Sequence, residues 1–407
     1  MLFRITTSVA HRIALISAVF ASFVLIALGC RGPGVVRSQN PATAASSSAA
    51  DRTGTEIPLT DGALLLNADE ARNYVGDSIC ATCHGAVGRA FAETRHARTL
   101  RPVHLNEQRP FFEHANTVKD PVLQYSYQPL VSSGRCVVAG ESGSRRGILS
   151  ADYVIGTGRN ARTYFCAERP DSWVDLRVSY YSEVGRWDYT PGQRPGDRLF
   201  VRAAGLTQEG PMLPACLNCH VTYLRAGNIG PDIANSHIGI GCERCHGPGR
   251  AHVEAVGRKK MSAGPPWLAM EKYAKATPQR INSLCGQCHH DEGNSKDGDA
   301  KTEKGLARFE GVALVRSKCF QESRALSCIT CHDPHRDVSS DTASNVKRCL
   351  TCHSTVADNP ARPATAHGKI CPVNRTSGCI GCHMPAQKIA TIPYAKYHNH
   401  LIKVWKR

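Results

Sequence analysis

Long apolar runs, methionine and acidic residues are all in short supply in this 407-residue chain. A helix that crosses a bilayer needs roughly 20 consecutive apolar residues. The nearest approach is an uncharged, mostly apolar stretch at residues 13–28. It is too short, and no other segment comes close, which argues against a helical membrane span. Five methionines in the whole sequence leave few thioether ligands for any metal. Acidic residues are outnumbered 34 to 50 by Lys and Arg, for a formal net charge of +16. Taken alone, that balance points to an anionic partner such as nucleic acid. Hydrophobic residues at 42% allow a buried core, and the length allows two or three domains.

Arg4, His11 and Arg12 precede the apolar stretch, so residues 1–30 read as an export signal that is cleaved. The stretch ends Ala27-Leu28-Gly29-Cys30. This is similar to a bacterial lipobox, with Cys30 as the acylated residue, except that Ala27 stands where an aliphatic residue is expected. Ordinary cleavage nearby is the alternative. Residues 31–68 begin with an Ala-, Ser-, Thr-, Gly- and Pro-rich segment that cannot bury enough apolar surface to fold, and read as a flexible tether.

Cysteine is abundant, with 19 copies. A chain this long does not depend on disulfide staples, so most of its cysteines are expected to hold something. Seven times the sequence runs Cys-x-x-Cys-His. The copies are Cys80, Cys83 and His84; Cys216, Cys219 and His220; Cys242, Cys245 and His246; Cys285, Cys288 and His289; Cys328, Cys331 and His332; Cys349, Cys352 and His353; and Cys379, Cys382 and His383. Sulfurs at i and i+3 lie on one face of a helical turn, where each can form a thioether with one of the two vinyl groups of haem. The histidine at i+4 then sits beneath the iron as its proximal ligand. A zinc or redox Cys-x-x-Cys does not need His at that position. At this chain's His frequency, seven chance matches have a probability on the order of 10⁻⁹ to 10⁻¹⁰. Seven covalently attached haem c groups are therefore expected, in an exported protein. Their propionates would add about 14 negative charges, which absorbs the positive excess and removes the case for nucleic acid.

The other face of each iron decides between an electron carrier and a catalyst, because two strong axial ligands close the iron. Besides His11 and the proximal set, ten histidines remain: His96, His104, His114, His237, His252, His290, His335, His367, His398 and His400. Of the methionines only Met212, Met261 and Met270 are placed to compete. Bis-histidine ligation is expected, with His96, His114, His237, His252, His335, His367 and His400 as the distal set. His290 directly follows a proximal histidine and reads as a bystander. His252 lies six residues after His246, and His335 three after His332. At no more than about 3.3–3.6 Å per residue, neither segment can pass around its own macrocycle, so each must serve a neighbouring haem.

Motif spacing is uneven, with one at Cys80 and none again until Cys216. The gap holds strand-like runs at residues 122–127, 136–138, 153–155, 163–166 and 173–181, separated by turn signals. The expected organisation is a first-haem segment at 69–118, a small β-rich insert at 119–205 and a six-haem region at 206–407. The fold class expected is mainly α and irregular, with short helices around stacked haems and that one β-rich insert. Gly156-x-Gly158 reads as a turn. Export permits disulfides, and Cys136–Cys166 and Cys319–Cys371 are the pairs expected.

Residues 74–84 (YVGDSICATCH) with Arg95-His96-Ala97, residues 241–252 (GCERCHGPGRAH), 327–335 (SCITCHDPH) and 379–385 (CIGCHMP) resemble the cytochrome c-552/4 domain family of multihaem cytochromes. That family includes the tetrahaem electron acceptor of hydroxylamine oxidoreductase. The resemblance implies bis-histidine haems in close-stacked pairs and electron transfer. Seven motifs depart from the tetrahaem member. The functional expectation is a periplasmic or cell-envelope electron carrier, lipid-anchored if Cys30 is acylated. Its partners would be other cytochromes or a membrane quinol-oxidising complex. The alternative is an oxidoreductase acting on nitrite, hydroxylamine or tetrathionate at one open haem. Against it stands the lack of a Cys-x-x-Cys-Lys, which pentahaem nitrite reductases carry at their active haem, so an enzyme is the weaker reading and no catalytic residue is assigned.

Overall fold

In the strand Ala161–Arg169, Tyr164, Phe165 and Cys166 are buried, and β-branched and aromatic residues of this kind favour a pleated, half-buried surface. This strand is the hub of a seven-stranded sheet. Along one path the order is Arg186–Tyr189, Val178–Tyr181, Ala161–Arg169, Tyr153–Ile155 and Leu100–Pro102. On its other branch Ala161–Arg169 pairs with Ser172–Leu176, which pairs with Gly205–Glu209. A four-stranded antiparallel meander, from Val118–Asp120 through Tyr125–Ser132 and Arg135–Ser142 to Arg145–Ser150, accompanies it. The computed structural model describes residues 65–197, 205–257, 270–290, 302–355, 368–389, 392 and 394–405. The export signal, most of the tether and Cys30 lie outside these residues, as does His367.

The fold is not the mainly α and irregular one expected. Of the described residues 34% are helical and 27% lie in strands. Strands also extend beyond residues 119–205. Leu100–Pro102 completes the large sheet. The hairpin Val221–Ala226 with Pro231–Ile238 takes Leu65–Leu66 as a parallel third strand, and Ala386–Lys388 pairs with Lys396–His398. Several of these strands have only two or three residues, and their pairings are non-local, so no run of alternation announces them. The expected single run at 173–181 breaks into two strands at Arg177. This buried arginine reaches the equally buried Asp120 at 3.5 Å and donates to the Arg194 carbonyl at 2.9 Å.

One core lies between the β elements and the helix Leu105–Glu113, and includes Phe112, Tyr127, Val154, Tyr164, Leu176 and Trp187. Each fully buried aliphatic or Phe side chain there contributes about 1.5–3 kcal/mol. A second core joins the large sheet to the second Cys-x-x-Cys-His segment. Leu100, Phe165 and Trp173 meet Leu213, Leu217, Val221 and Leu224. The sheet is therefore the wall against which that motif is set. The two expected disulfides do not form: Cys136, Cys166, Cys319 and Cys371 are free thiols. Cys136 and Cys166 share the first core but sit on strands of different sheets, and the Cys166 Sγ meets the Ser150 hydroxyl at 3.6 Å instead.

Candidate haem sites

Every Cys-x-x-Cys-His falls on a helical turn. The first occupies the end of the helix Asp77–Cys83. The second runs from the helix Met212–Leu217 into a 3₁₀ turn at Asn218–His220. The third and seventh are short helices in themselves, Cys242–His246 and Cys379–His383. The fourth ends the helix Pro278–His289, which Thr277 caps and Pro278 opens. The fifth is Cys328–Cys331 with His332 following, and the sixth ends the helix Thr342–Leu350. The i, i+3 thiols are thus presented as thioether formation requires.

The two intervening residues are used to join motifs. Glu243 is 1% exposed, and its carboxylate accepts from the amides of Val75, Gly76 and Gly249 at 2.7–2.9 Å. Buried Arg244 donates to Asn218 Oδ1 at 3.2 Å, which links the third motif to the second. Asn282 Oδ1 accepts from the Cys328 amide at 3.0 Å, linking the fourth segment to the fifth. Thiols of different motifs lie near enough to shift one another's acidity: Cys80 and Cys242, Cys219 and Cys288, and Cys285 and Cys328.

Among the described residues, four pairs of imidazoles face each other. The ring centres of His84 and His252 are 6.5 Å apart, those of His96 and His289 6.1 Å, those of His246 and His335 6.1 Å, and those of His332 and His400 6.1 Å. A metal–imidazole nitrogen distance of about 2.0–2.1 Å, plus about 1.1 Å from nitrogen to ring centre on each side, gives about 6.2–6.4 Å for two imidazoles on one iron. The four separations fit that spacing. Each pair joins one Cys-x-x-Cys-His histidine to a histidine from outside the motifs. The ring planes range from nearly parallel in His246/His335, at 5°, to nearly perpendicular in His96/His289, at 85°.

The second ring nitrogen is fixed by its partner. His246 Nδ1 lies 3.0 Å from the Glu271 carbonyl, His353 Nδ1 2.7 Å from the Lys369 carbonyl and His400 Nδ1 3.0 Å from the His398 carbonyl. A carbonyl only accepts, so Nδ1 carries the proton and Nε2 is left free to ligate. His220 Nδ1 meets the Thr99 hydroxyl at 2.6 Å. Burial pushes the His220 imidazole down to about 4, and burial also lowers His96, His332 and His400. Neutral imidazole is the ligating form, so these sites favour it. His289 is the exception. Its Nδ1 is 3.6 Å from the Glu310 carboxylate, which raises it to about 9 against the opposing effect of burial.

Of the remaining expected distal histidines, His367 lies outside the described residues, and His237 and His114 are placed otherwise. His237 Nε2 lies 3.4 Å from Asp77, and its ring stands edge-on to Tyr223. His114 ends the helix Leu105–Glu113. His290, read as a bystander, packs on Phe309. His220, His353 and His383 belong to none of the four pairs. Sequence reasoning missed Glu243, which sits inside the third motif but binds amides before the first, and Thr99 and Glu310, which contact His220 and His289 from outside their motifs. No spacing rule announces such contacts.

No helix among the described residues is long and apolar enough to cross a membrane. Residues 200–247 match the family model described as cytochrome c554 and c-prime, a stretch that contains the second and third motifs. No curated protein and no solved structure matches the chain. The family match, falling on two complete haem-attachment motifs, supports a c-type cytochrome with covalently bound haem c and a role in electron transfer.

Proposed function

We propose that this chain is an exported heptahaem cytochrome c that passes electrons between redox partners through irons closed by two histidines. The observation that carries the reading is the set of four imidazole pairs at 6.1–6.5 Å. Bound haem supplies a one-electron ferric–ferrous couple. The protein's part is to hold both axial ligands and to keep the sites close. Each pair crosses motifs. His252, six residues after proximal His246, faces His84. His335, three residues after proximal His332, faces His246. Two histidines three residues apart have Cα atoms separated by at most about 11 Å, so the third and fifth sites are neighbours by construction. His96, beyond the first motif, faces His289 of the fourth. The paired sites thus form one linked series: fourth to first, first to third, third to fifth.

Export, periplasmic or surface location, a lipid anchor at Cys30 and partners among other cytochromes or a quinol-oxidising complex belong to the same reading, which rests on the signal-like N-terminus. A pyridine haemochrome assay against protein mass is expected to give about seven haems per chain. The EPR spectrum of the oxidised protein is expected to be dominated by low-spin iron. Four haems or fewer, or a mainly high-spin spectrum, would refute the proposal.

A further inference from the structure

A cavity of about 610 Å³ is lined in part by Arg95, the residue before His96. Five of its lining residues are Arg95, Arg98, Arg101, Arg159 and Arg162, set against three carboxylates. Each carboxylate is engaged: Asp337 with Arg95 at 3.1 Å, Glu107 with Arg101 at 2.5 Å, and Glu93 with Arg98. That leaves Arg159 and Arg162. Among the described residues neither has a carboxylate within ion-pair distance. Arg159 is exposed. Arg162 lies over the Phe111 ring at 4.0 Å, donates to the Ser182 hydroxyl at 3.4 Å, and keeps a buried Nε with no partner.

The turn at Gly156-x-Gly158 builds this arrangement. Gly158 has φ +86°, and a Cβ there would fall 2.2 Å from the Arg162 Cζ. The guanidinium rests against the glycine, whose positive φ favours a residue without a side chain; any other residue would push the guanidinium aside. A half-buried guanidinium stays charged, because arginine does not deprotonate. Burial and the nearby Arg101 act against that charge, and the one carboxylate that favours it, Glu107, is already bound to Arg101, so Arg162 is only partly compensated. Uncompensated buried charge is costly, and the planar fork of guanidinium matches a carboxylate or oxyanion in bidentate fashion.

We propose that Arg159 and Arg162 form an anion site in this cavity that takes a dianionic ligand of carboxylate or oxyanion chemistry. Two sources supply that chemistry. One is the propionate pair of the haem held between His96 and His289, and this arm rests on the proposed haem reading. The other is a small free dianion.

The test uses the holoprotein, with haem content checked by pyridine haemochrome. Sulfate is titrated calorimetrically at low ionic strength into wild type, Arg159→Gln and Arg162→Gln, and haem midpoint potentials are followed by spectroelectrochemistry. One sulfate bound per wild-type chain, weakened at least tenfold in either variant, assigns the site to a free dianion. No sulfate binding, but a lower midpoint potential of one haem in Arg162→Gln, assigns it to the propionates. Sulfate indifference together with unchanged potentials in both variants overturns the proposal. Arg159 is exposed, so its replacement keeps the test open if Arg162→Gln does not fold. A preparation without haem would refute the haem reading and leave the sulfate titration to decide the anion site.

Discussion

Arg95 and Asp337 tie together two of the facing histidines from positions 242 residues apart. The Arg95 amide donates to one oxygen of the Asp337 carboxylate at 2.9 Å and its Nε to the other at 3.1 Å. Arg95 directly precedes His96, and Asp337 lies two residues after His335. The tie therefore holds the segments facing His289 and His246. Both side chains are substantially exposed, at 34% and 48%, so Asp337→Asn is expected to cost no more than about 1 kcal/mol by chemical denaturation. Burial works against the Asp337 carboxylate, but the Arg95 amide and guanidinium outweigh it and lower its pKa. The contribution is then present above the ordinary aspartate value of about 3.9 and is lost as pH falls below it. Acid titration of wild type against Asp337→Asn checks this. A difference that grows rather than vanishes at low pH would contradict it.

Removing His252 and His335 tests the facing pairs directly. His252→Ala should leave haem content unchanged, convert one low-spin iron to high-spin, and let it bind carbon monoxide when reduced. His335→Ala should do the same at a second iron, and the double variant at two. Each variant removes a ligand from a different iron, so the numbers of high-spin irons should add. An unaltered spectrum in either single variant would remove that histidine from the ligand set.

The seven Cys-x-x-Cys-His copies are legible in the sequence, and the family match falls on two of them; the three-residue step from His332 to His335 carries an expectation of ligation to a neighbouring haem that the His335→Ala variant tests. Strands inside the insert were legible where β-branched and aromatic residues cluster between turn signals. The run at 153–155 matches the strand Tyr153–Ile155, and 163–166 lies inside Ala161–Arg169. The rest was hidden for physical reasons. Leu65 pairs with Leu224 across 159 positions, and a two-residue strand has no period to detect. Leu100–Pro102 contains a proline, which is tolerated at the sheet edge it occupies. Charge did not announce the arginine cavity either, because its five arginines come from two stretches, 95–101 and 159–162, that are far apart in the chain.

Glu310 is expected to set the potential of the fourth site. Its carboxylate lies 3.6 Å from His289 Nδ1, and the paired charges depress its own pKa although burial opposes this. A negative charge behind a ligating imidazole strengthens the donor and favours ferric iron. Glu310→Gln should raise one midpoint potential by about 59 mV, a tenfold change in a one-electron equilibrium. Glu310→Asp should recover part of it. Spectroelectrochemical titration reads both, and an unshifted set of potentials would place Glu310 outside the tuning of this iron.

Glu243 makes the strictest demand on side-chain chemistry. Its two oxygens accept three backbone amides, from Val75, Gly76 and Gly249. Val75 and Gly76 lead into the helix that ends before His84, and Gly249 leads into the helix Arg250–Gly257 that carries His252. One buried carboxylate thus positions both members of the His84/His252 pair. Glutamine keeps the size but offers one acceptor oxygen and a donor NH₂ that no amide can satisfy. Leaving buried amides unpaired costs about 1–3 kcal/mol each. Glu243→Gln is therefore expected to lose about 2–4 kcal/mol of stability in chemical denaturation. It should also show a high-spin fraction at one iron, while Glu243→Asp restores the charge but not the reach. The spectral change is what separates positioning from simple destabilisation. A Glu243→Gln protein that loses stability yet keeps every iron low-spin would mean that the carboxylate holds the fold without aligning the pair.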